Sequence, residues 1–191
     1  MSVQGHQITL VRHGETEWSK AGKHTGRTDI PLTEAGEAAA RGLGMRLAGV
    51  EYAAVWTSPS LRARTTCTLA GFDARAVVKD DLAEWAYGDY EGVTTKDIRA
   101  KRPGWDLFHD GCPNGETAAD VGQRADRMIA ALRQTDGGVL IFSSSHFLRV
   151  LGARWIGLPP ENGQNFVLDT ASISIVGYNR EDMVIRRWNQ T

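Results

Sequence analysis

A short apolar run, Ile8-Thr9-Leu10-Val11, stops abruptly at Arg12-His13-Gly14. The run has the look of a buried strand, and open α/β sheets hold their ligands at the carboxyl ends of their strands. A strand that ends in a cation, an imidazole and a glycine therefore delivers chemistry to that edge. Gly14 lets the backbone turn sharply and approach a ligand closely. Arg12 offers a planar fork of donors suited to phosphate oxygens. His13 is able to act as nucleophile, base or metal ligand. A lone strand-end histidine is more often bonded to backbone, but the neighbouring Arg and Gly favour a functional role for this one.

Two further junctions reach the same edge. Ala53-Ala54-Val55-Trp56-Thr57 reads as a second strand that runs into Ser58-Pro59 and a helix carrying Arg62 and Arg64. Pro59 suits a first helical turn, and a helix N-terminus attracts anions. Arg62 is placed to point back toward His13, and two arginines with a helix N-terminus make a pocket for a dianion. Val139-Leu140-Ile141-Phe142, the most hydrophobic strand, reads as central and delivers Ser143-Ser144-Ser145-His146. A helix over Phe147–Ile156 follows it and carries Arg149.

Between these junctions the periodicity predicts the rest. The stretch 18–31 has turn residues and no period, so it reads as a loop that brings Thr25 and Gly26 to the edge as hydroxyl and backbone donors. Thr33 caps a helix whose face is Ala35, Ala39, Leu43 and Leu47. Ala76-Val77-Val78 reads as an edge strand, and residues 94–102 as a short helix stopped by Pro103. In the acidic, aromatic loop 81–92, Glu84 lies between Leu82 and Trp85, an apolar setting that raises a carboxyl pKa and suits it to hold a proton for a leaving alkoxide. Tyr87 is within reach of the same ligand, whereas Asp89 reads as solvated. Residues 104–116 form a long irregular insertion of the kind that lines a site or forms a lid. Val121, Ala125, Met128 and Leu132 mark a long helix ended by Gly137-Gly138. Ser172–Val176 and Met183–Ile185 read as a closing hairpin. Trp18, Trp85 and Trp105 serve equally well as core or as pocket walls.

Composition narrows the function classes. At 191 residues and 41% hydrophobic content, the chain fills one core and is short for two, which predicts a single domain over 1–191. A net charge of −1 and a pI near 6.5 give no polyanion-binding signature and argue against nucleic acid. No run approaches the ~18 apolar residues of a membrane span, and the polar start Met1–His6 lacks a signal-peptide core. The two cysteines, Cys67 and Cys112, form no metal pattern and suit a reducing, cytoplasmic compartment rather than a disulfide. The pattern carries no signature of an oligomeric state.

The segments Leu-Val-Arg-His-Gly-Glu-Thr, Ser-Pro-Ser-Leu-Arg-Ala, Glu-Trp-Ala-Tyr-Gly-Asp-Tyr-Glu-Gly and Ser-His-Phe-Leu-Arg occur in an order that resembles the histidine phosphatase, or phosphoglycerate-mutase-like, superfamily. Thr-Glu-Trp-Ser-Lys with His-Thr-Gly-Arg-Thr-Asp-Ile-Pro-Leu-Thr looks most like its sugar-phosphatase branch, which includes sedoheptulose bisphosphatase. The resemblance covers nearly the whole chain. It implies an α/β three-layer sandwich with a mostly parallel central sheet flanked by helices on both faces. It also implies a metal-independent, cofactor-free phosphatase that passes through a phosphohistidine and takes a small phosphorylated sugar. By it His13 is the nucleophile, Glu84 the proton donor, and Arg12 and Arg62 the phosphoryl clamp. Thr25, Gly26 and Tyr87 would contact substrate, and Arg149 its distal phosphate or hydroxyls.

Two positions depart from the resemblance. The family carries a second histidine five residues before the arginine that is Arg149 here, and that position is Ser144. Ser144 is able to donate one hydrogen bond but carries no positive charge, and losing one preorganised donor costs on the order of 10²–10³ in rate. His146 is a candidate substitute for the missing imidazole, although two residues further along, past the strand end, it is expected to point differently. The second departure is Ala86, where that branch has an acidic residue beside Glu84. Both are small-residue replacements of the kind a specialised or engineered variant carries. The alternatives left open are a phospho-ligand binding protein that has lost turnover through Ser144, a mutase, and an interaction scaffold. The mutase stands behind because the chain lacks room for the insertions that retain a phosphorylated intermediate.

Overall fold

The computed structural model describes residues 7–191. The expectation drawn from Met1–His6 lies outside these. The first strand, β1 (Ile8–Arg12), leads into a single helical turn, α1 (Glu17–Lys20), and then α2 (Glu34–Leu47). Next come β2 (Ala54–Thr57), α3 (Leu61–Leu69), β3 (Ala76–Val78), α4 (Thr95–Lys101) and α5 (Leu107–Asp110). The chain closes with α6 (Ala118–Gln134), β4 (Val139–Ser143), α7 (Ser145–Trp155), β5 (Ile173–Asn179) and β6 (Asp182–Gln190).

The strands form one sheet in the order β3-β2-β4-β1-β5-β6. The first four are parallel, and β5 and β6 are added antiparallel. The mostly parallel α/β sandwich expected from the sequence is the fold observed. Side-chain alternation splits the core in two. Leu10, Val139 and Ile141 face one layer with Val121, Leu132, Leu148 and Leu151 of α6 and α7. Val11, Leu140 and Phe142 face the other with Leu43 and Leu47 of α2 and Cys67 of α3. All five residues of β4 are buried, which accounts for its unbroken apolar sequence.

Several local expectations shift. The stretch 18–31 is not wholly loop, because Thr16 makes a capping box with Ser19 and starts α1. The buried face of α2 is Gly36, Ala40, Leu43 and Leu47, whereas Ala35 and Ala39 are exposed. Gly36 causes this rotation, since a Cβ there would lie 2.2 Å from the Glu15 carbonyl oxygen. The missing side chain lets α2 abut the loop that follows His13. Ser60, not Pro59, occupies the N-cap of α3. Insertion 104–116 contains the one-turn α5, capped by Asp106. The last helix begins at Ser145, two residues earlier than expected. The hairpin strand β6 runs on to Gln190, because its polar residues suit a half-exposed edge.

Among the described residues, no helix is long and apolar enough to cross a membrane. Cys67 and Cys112 are both buried and unpaired.

Candidate active site

Parallel pairing sets Arg12 of β1 beside Ser143 of β4, and the His13 N–H donates to the Ser143 carbonyl at 3.0 Å. His13 thus leaves the sheet at its carboxyl edge, next to the start of α7. It lines a cleft of about 530 Å³ together with Arg12, Thr25, Glu84, Tyr87, His146 and Arg149.

His13 is buried, and its Nδ1–H donates to the Gly14 carbonyl at 2.7 Å. That bond fixes the tautomer and leaves Nε2 with the lone pair. The Nε–H of Arg62 points at this nitrogen across 3.2 Å. Burial first, then the charges of Arg62 and Arg12, holds the imidazole pKa well below its ordinary value. A neutral imidazole with an unprotonated Nε2 is the form a nucleophile requires.

The two arginines reach His13 from different sides. Arg12 lines the cleft, and its Nη1 donates to the Leu168 carbonyl while its buried Nε has no partner. A buried guanidinium N–H without an acceptor, on the wall of a cleft beside His13, is a place suited to an anion. Arg62 is fully buried behind His13 and not on the cleft wall. Three of its four remaining N–H donors go to the carbonyls of Thr25 at 2.8 Å, Gly26 at 3.0 Å and Thr28 at 3.2 Å. Arg62 is therefore not a solvated surface charge.

Loop 25–28 therefore acts in a way the sequence did not suggest. Its carbonyls accept from Arg62, and the Gly26 N–H is engaged by Glu91 Oε1 at 2.8 Å. Thr25 lines the cleft, although its hydroxyl donates to the Lys23 carbonyl at 3.2 Å. Gly26 does not line the cleft, and its N–H is already spent. A Cβ there would clash with Glu91 and the Trp85 carbonyl at 2.7 Å, so glycine permits the close packing of this loop.

Glu84 is buried, but not in an apolar wall. Its Oε1 accepts from the Trp85 N–H at 2.9 Å and the Phe147 N–H at 2.8 Å, and its Oε2 accepts from the His146 N–H at 3.0 Å. The carboxyl thus caps the N-terminus of α7. Arg124 anchors the loop beneath it, donating to the Asp81 and Ala83 carbonyls at 2.8 Å and pairing with Glu116 at 2.7 Å. Ala86 donates its N–H to Glu116 Oε2 and lines a neighbouring cleft with Arg27 and Glu91 rather than the one that holds His13. Asp89 is exposed, as expected.

Ser144 is the N-cap of α7, yet its hydroxyl caps nothing. It is fully buried, has no hydrogen-bond partner and does not reach the cleft wall. His146 occupies the second position of α7 rather than a strand end, and helical geometry turns it toward Tyr87. Its Nδ1 lies 2.6 Å from the Tyr87 hydroxyl and 3.9 Å from Glu84 Oε2. Arg149 lines the cleft with its guanidinium 4.8 Å from the centre of the Phe108 ring, and it donates to the carbonyls of Gly163 and Gln164.

Two residues of the site were missed by sequence reasoning. His24 lines the cleft beside Tyr87 and Trp105; its only signal was a histidine adjoining Thr25. Thr66 is buried beneath the site, where its hydroxyl accepts from the Gly14 N–H at 3.0 Å and donates to the Arg62 carbonyl at 2.7 Å. Trp105 is 1% exposed and lines the cleft, so it is both core and wall.

Comparison with known proteins is consistent across the chain. The profile of the histidine phosphatase superfamily (branch 1) matches residues 8–191. An acid phosphatase of Mycobacterium tuberculosis is 42% identical over 182 residues, covering 93% of this chain and 89% of its own. A sedoheptulose 1,7-bisphosphatase of Saccharomyces cerevisiae is 39% identical over 184 residues, covering 78% of this chain and 67% of its own. A solved structure of a Mycobacterium tuberculosis open reading frame superimposes with a TM-score of 0.93 at 40% identity, covering 97% of this chain and 98% of that one.

Proposed function

Because the chain belongs to the histidine phosphatase superfamily, branch 1, we propose that it is a phosphatase of small sugar phosphates that works through a phosphohistidine at His13. The observation that carries this reading is the gathering of Arg12, His13 and Glu84, distant in sequence, on one cleft, with Arg62 aimed at His13 from behind its wall. The similarity to an acid phosphatase and to a sedoheptulose 1,7-bisphosphatase supports it.

Phosphoryl transfer depends on in-line placement and charge neutralisation more than on covalent power. The phosphate enters at Arg12, whose unpartnered Nε–H donates to one of its oxygens. Arg62 then turns its Nε–H from His13 Nε2 to an equatorial oxygen, which frees the lone pair at the moment of attack. An Nε2–P bond forms as the bond from phosphorus to the sugar oxygen breaks. Glu84 gives that oxygen a proton. Its Oε2 is the donor atom, since it holds one hydrogen bond where Oε1 holds two. Water, deprotonated by the same carboxylate, then attacks the phosphohistidine and releases inorganic phosphate.

We place the chain, as a single domain, in a reducing, cytoplasmic setting, which two unpaired thiols, Cys67 and Cys112, suit. The unpartnered hydroxyl of Ser144 favours a second reading, a phospho-ligand binding protein with reduced turnover. Incubation with a panel of sugar phosphates in EDTA separates the two. Steady phosphate release is expected, while stoichiometric binding without release would select the second reading.

A further inference from the structure

Away from the phosphoryl end, the cleft carries two imidazoles whose protons are fixed by their neighbours. The Nδ1–H of His24 donates to the Val93 carbonyl at 2.7 Å, so its Nε2 is a lone-pair acceptor. The Tyr87 hydroxyl lies 2.6 Å from His146 Nδ1. Burial and the nearby Glu84 push the ionisation of Tyr87 well above its usual range. Among the described residues the Tyr87 hydroxyl has no other acceptor, so its proton goes to Nδ1, which makes His146 the Nε2–H tautomer, a donor. The two rings lie 6.3 Å apart between centroids and within 25° of parallel, and both line the cleft. Among the described residues neither Nε2 has a protein partner. Burial lowers both pKa values, and Arg149 lowers that of His146 further, so both rings are neutral at neutral pH.

We infer that His24 and His146 are the specificity pair of this cleft, reading the hydroxyls of a polyol chain carried by the phosphate ester, one by accepting and the other by donating a hydrogen bond. This rests on the phosphatase reading and names the class of alcohol it releases. A neutral acceptor such as His24 Nε2 faces an anionic oxygen unfavourably, and Arg149 already gives its Nε and Nη2 to the Gly163 and Gln164 carbonyls. A hydroxyl both gives and takes a hydrogen bond, and so satisfies the two imidazoles together. A site built for hydroxyls rejects an analogue that lacks them, because its own polar groups are then left unpaired.

The test is binding, measured by calorimetry in a His13→Asn background that cannot form the N–P bond. Sorbitol 6-phosphate and n-hexyl phosphate carry the same phosphate and the same number of carbons, with and without hydroxyls. Sorbitol 6-phosphate is expected to bind at least ~10-fold more tightly. Adding His24→Phe keeps a ring against Tyr87 and Trp105 and should bring the ratio to within about threefold. Adding Tyr87→Phe frees the His146 tautomer and should lower the ratio severalfold, an effect that packing alone would not produce. A ratio near one in the parent protein, or a ratio unmoved by His24→Phe, overturns the inference. So does tighter binding of fructose 1,6-bisphosphate than of sorbitol 6-phosphate that ignores His24→Phe, which would mark an anion subsite. If His24→Phe does not fold, the parent ratio and Tyr87→Phe still decide. A phosphatase that never turns over, yet keeps the expected ratios, would remove the hydrolytic reading and leave this one standing.

Discussion

The Nε–H of Arg62 is aimed at His13 Nε2 across 3.2 Å, the nitrogen that the bond from Nδ1–H to Gly14 leaves unprotonated. In the proposed mechanism the residue that steadies the phosphoryl group therefore occupies the nucleophile's lone pair until a substrate displaces it. Three loop carbonyls hold the rest of the guanidinium in place. Moving that one N–H is the smallest rearrangement the site needs.

Protonation couples this site to stability. His13, His24 and His146 all have pKa values lowered from 6.5, chiefly by burial. In the unfolded chain each takes up a proton near its ordinary value, whereas the folded chain resists it. The unfolded state binds more protons below about pH 7, so stability falls as pH falls. Asp81 and Asp120, lowered by hydrogen bonds to Arg127 and Thr117, act only below their ordinary value of 3.8. The urea midpoint is expected to drop steadily from pH 7 to pH 5 with an unchanged slope. A midpoint constant over that window contradicts the burial of neutral imidazoles.

Ser144 is short of the cleft and its hydroxyl bonds nothing. Ser144→Ala is expected to change kcat by less than about threefold and to leave stability equal or up to about 1 kcal/mol higher, since an unsatisfied buried group is removed. Ser144→His extends a donor toward the phosphate and is expected to raise kcat by on the order of 10²-fold. Phosphate-release assays and urea melts of both variants check this. A large loss with Ser144→Ala would place the hydroxyl on the substrate after all.

Thr66 ties the nucleophile loop to α3 through its bonds to Gly14 and Arg62. Thr66→Val keeps the shape but strands the Gly14 N–H, at a cost of about 1–3 kcal/mol. kcat is expected to fall about tenfold with KM little changed, because the misplacement is felt in the transition state. Thr66→Ser should restore both. Equal stability loss with full kcat would make Thr66 a packing residue only.

Proton delivery by Glu84 predicts a dependence on the leaving group. Glu84→Gln is expected to lower kcat on sugar phosphates by about 10²–10⁴. On 4-nitrophenyl phosphate, whose phenolate leaves without a proton, the loss should be within about tenfold. Equal losses on both substrates would assign Glu84 to positioning α7 through its two backbone contacts there.

Much of this was legible in the sequence because strand ends are. The apolar runs at β1, β2 and β4 and the residues that follow them placed Arg12, His13 and Arg62 correctly. Three features were not legible. Gly26 resembles a phosphate donor in sequence, but whether its N–H is free depends on Glu91, 65 positions away. The surroundings of Glu84 come from the start of α7 and not from Leu82 and Trp85 beside it. Thr66 matters through two backbone groups, and its side chain type gives no hint of that.

The most direct test is to trap the intermediate. Protein mixed with a 32P-labelled sugar phosphate, quenched in alkali and mapped by mass spectrometry should carry one phosphoryl group on His13, and His13→Ala should carry none and release no phosphate. Label on any other residue, or hydrolysis that survives His13→Ala, contradicts the role assigned to His13.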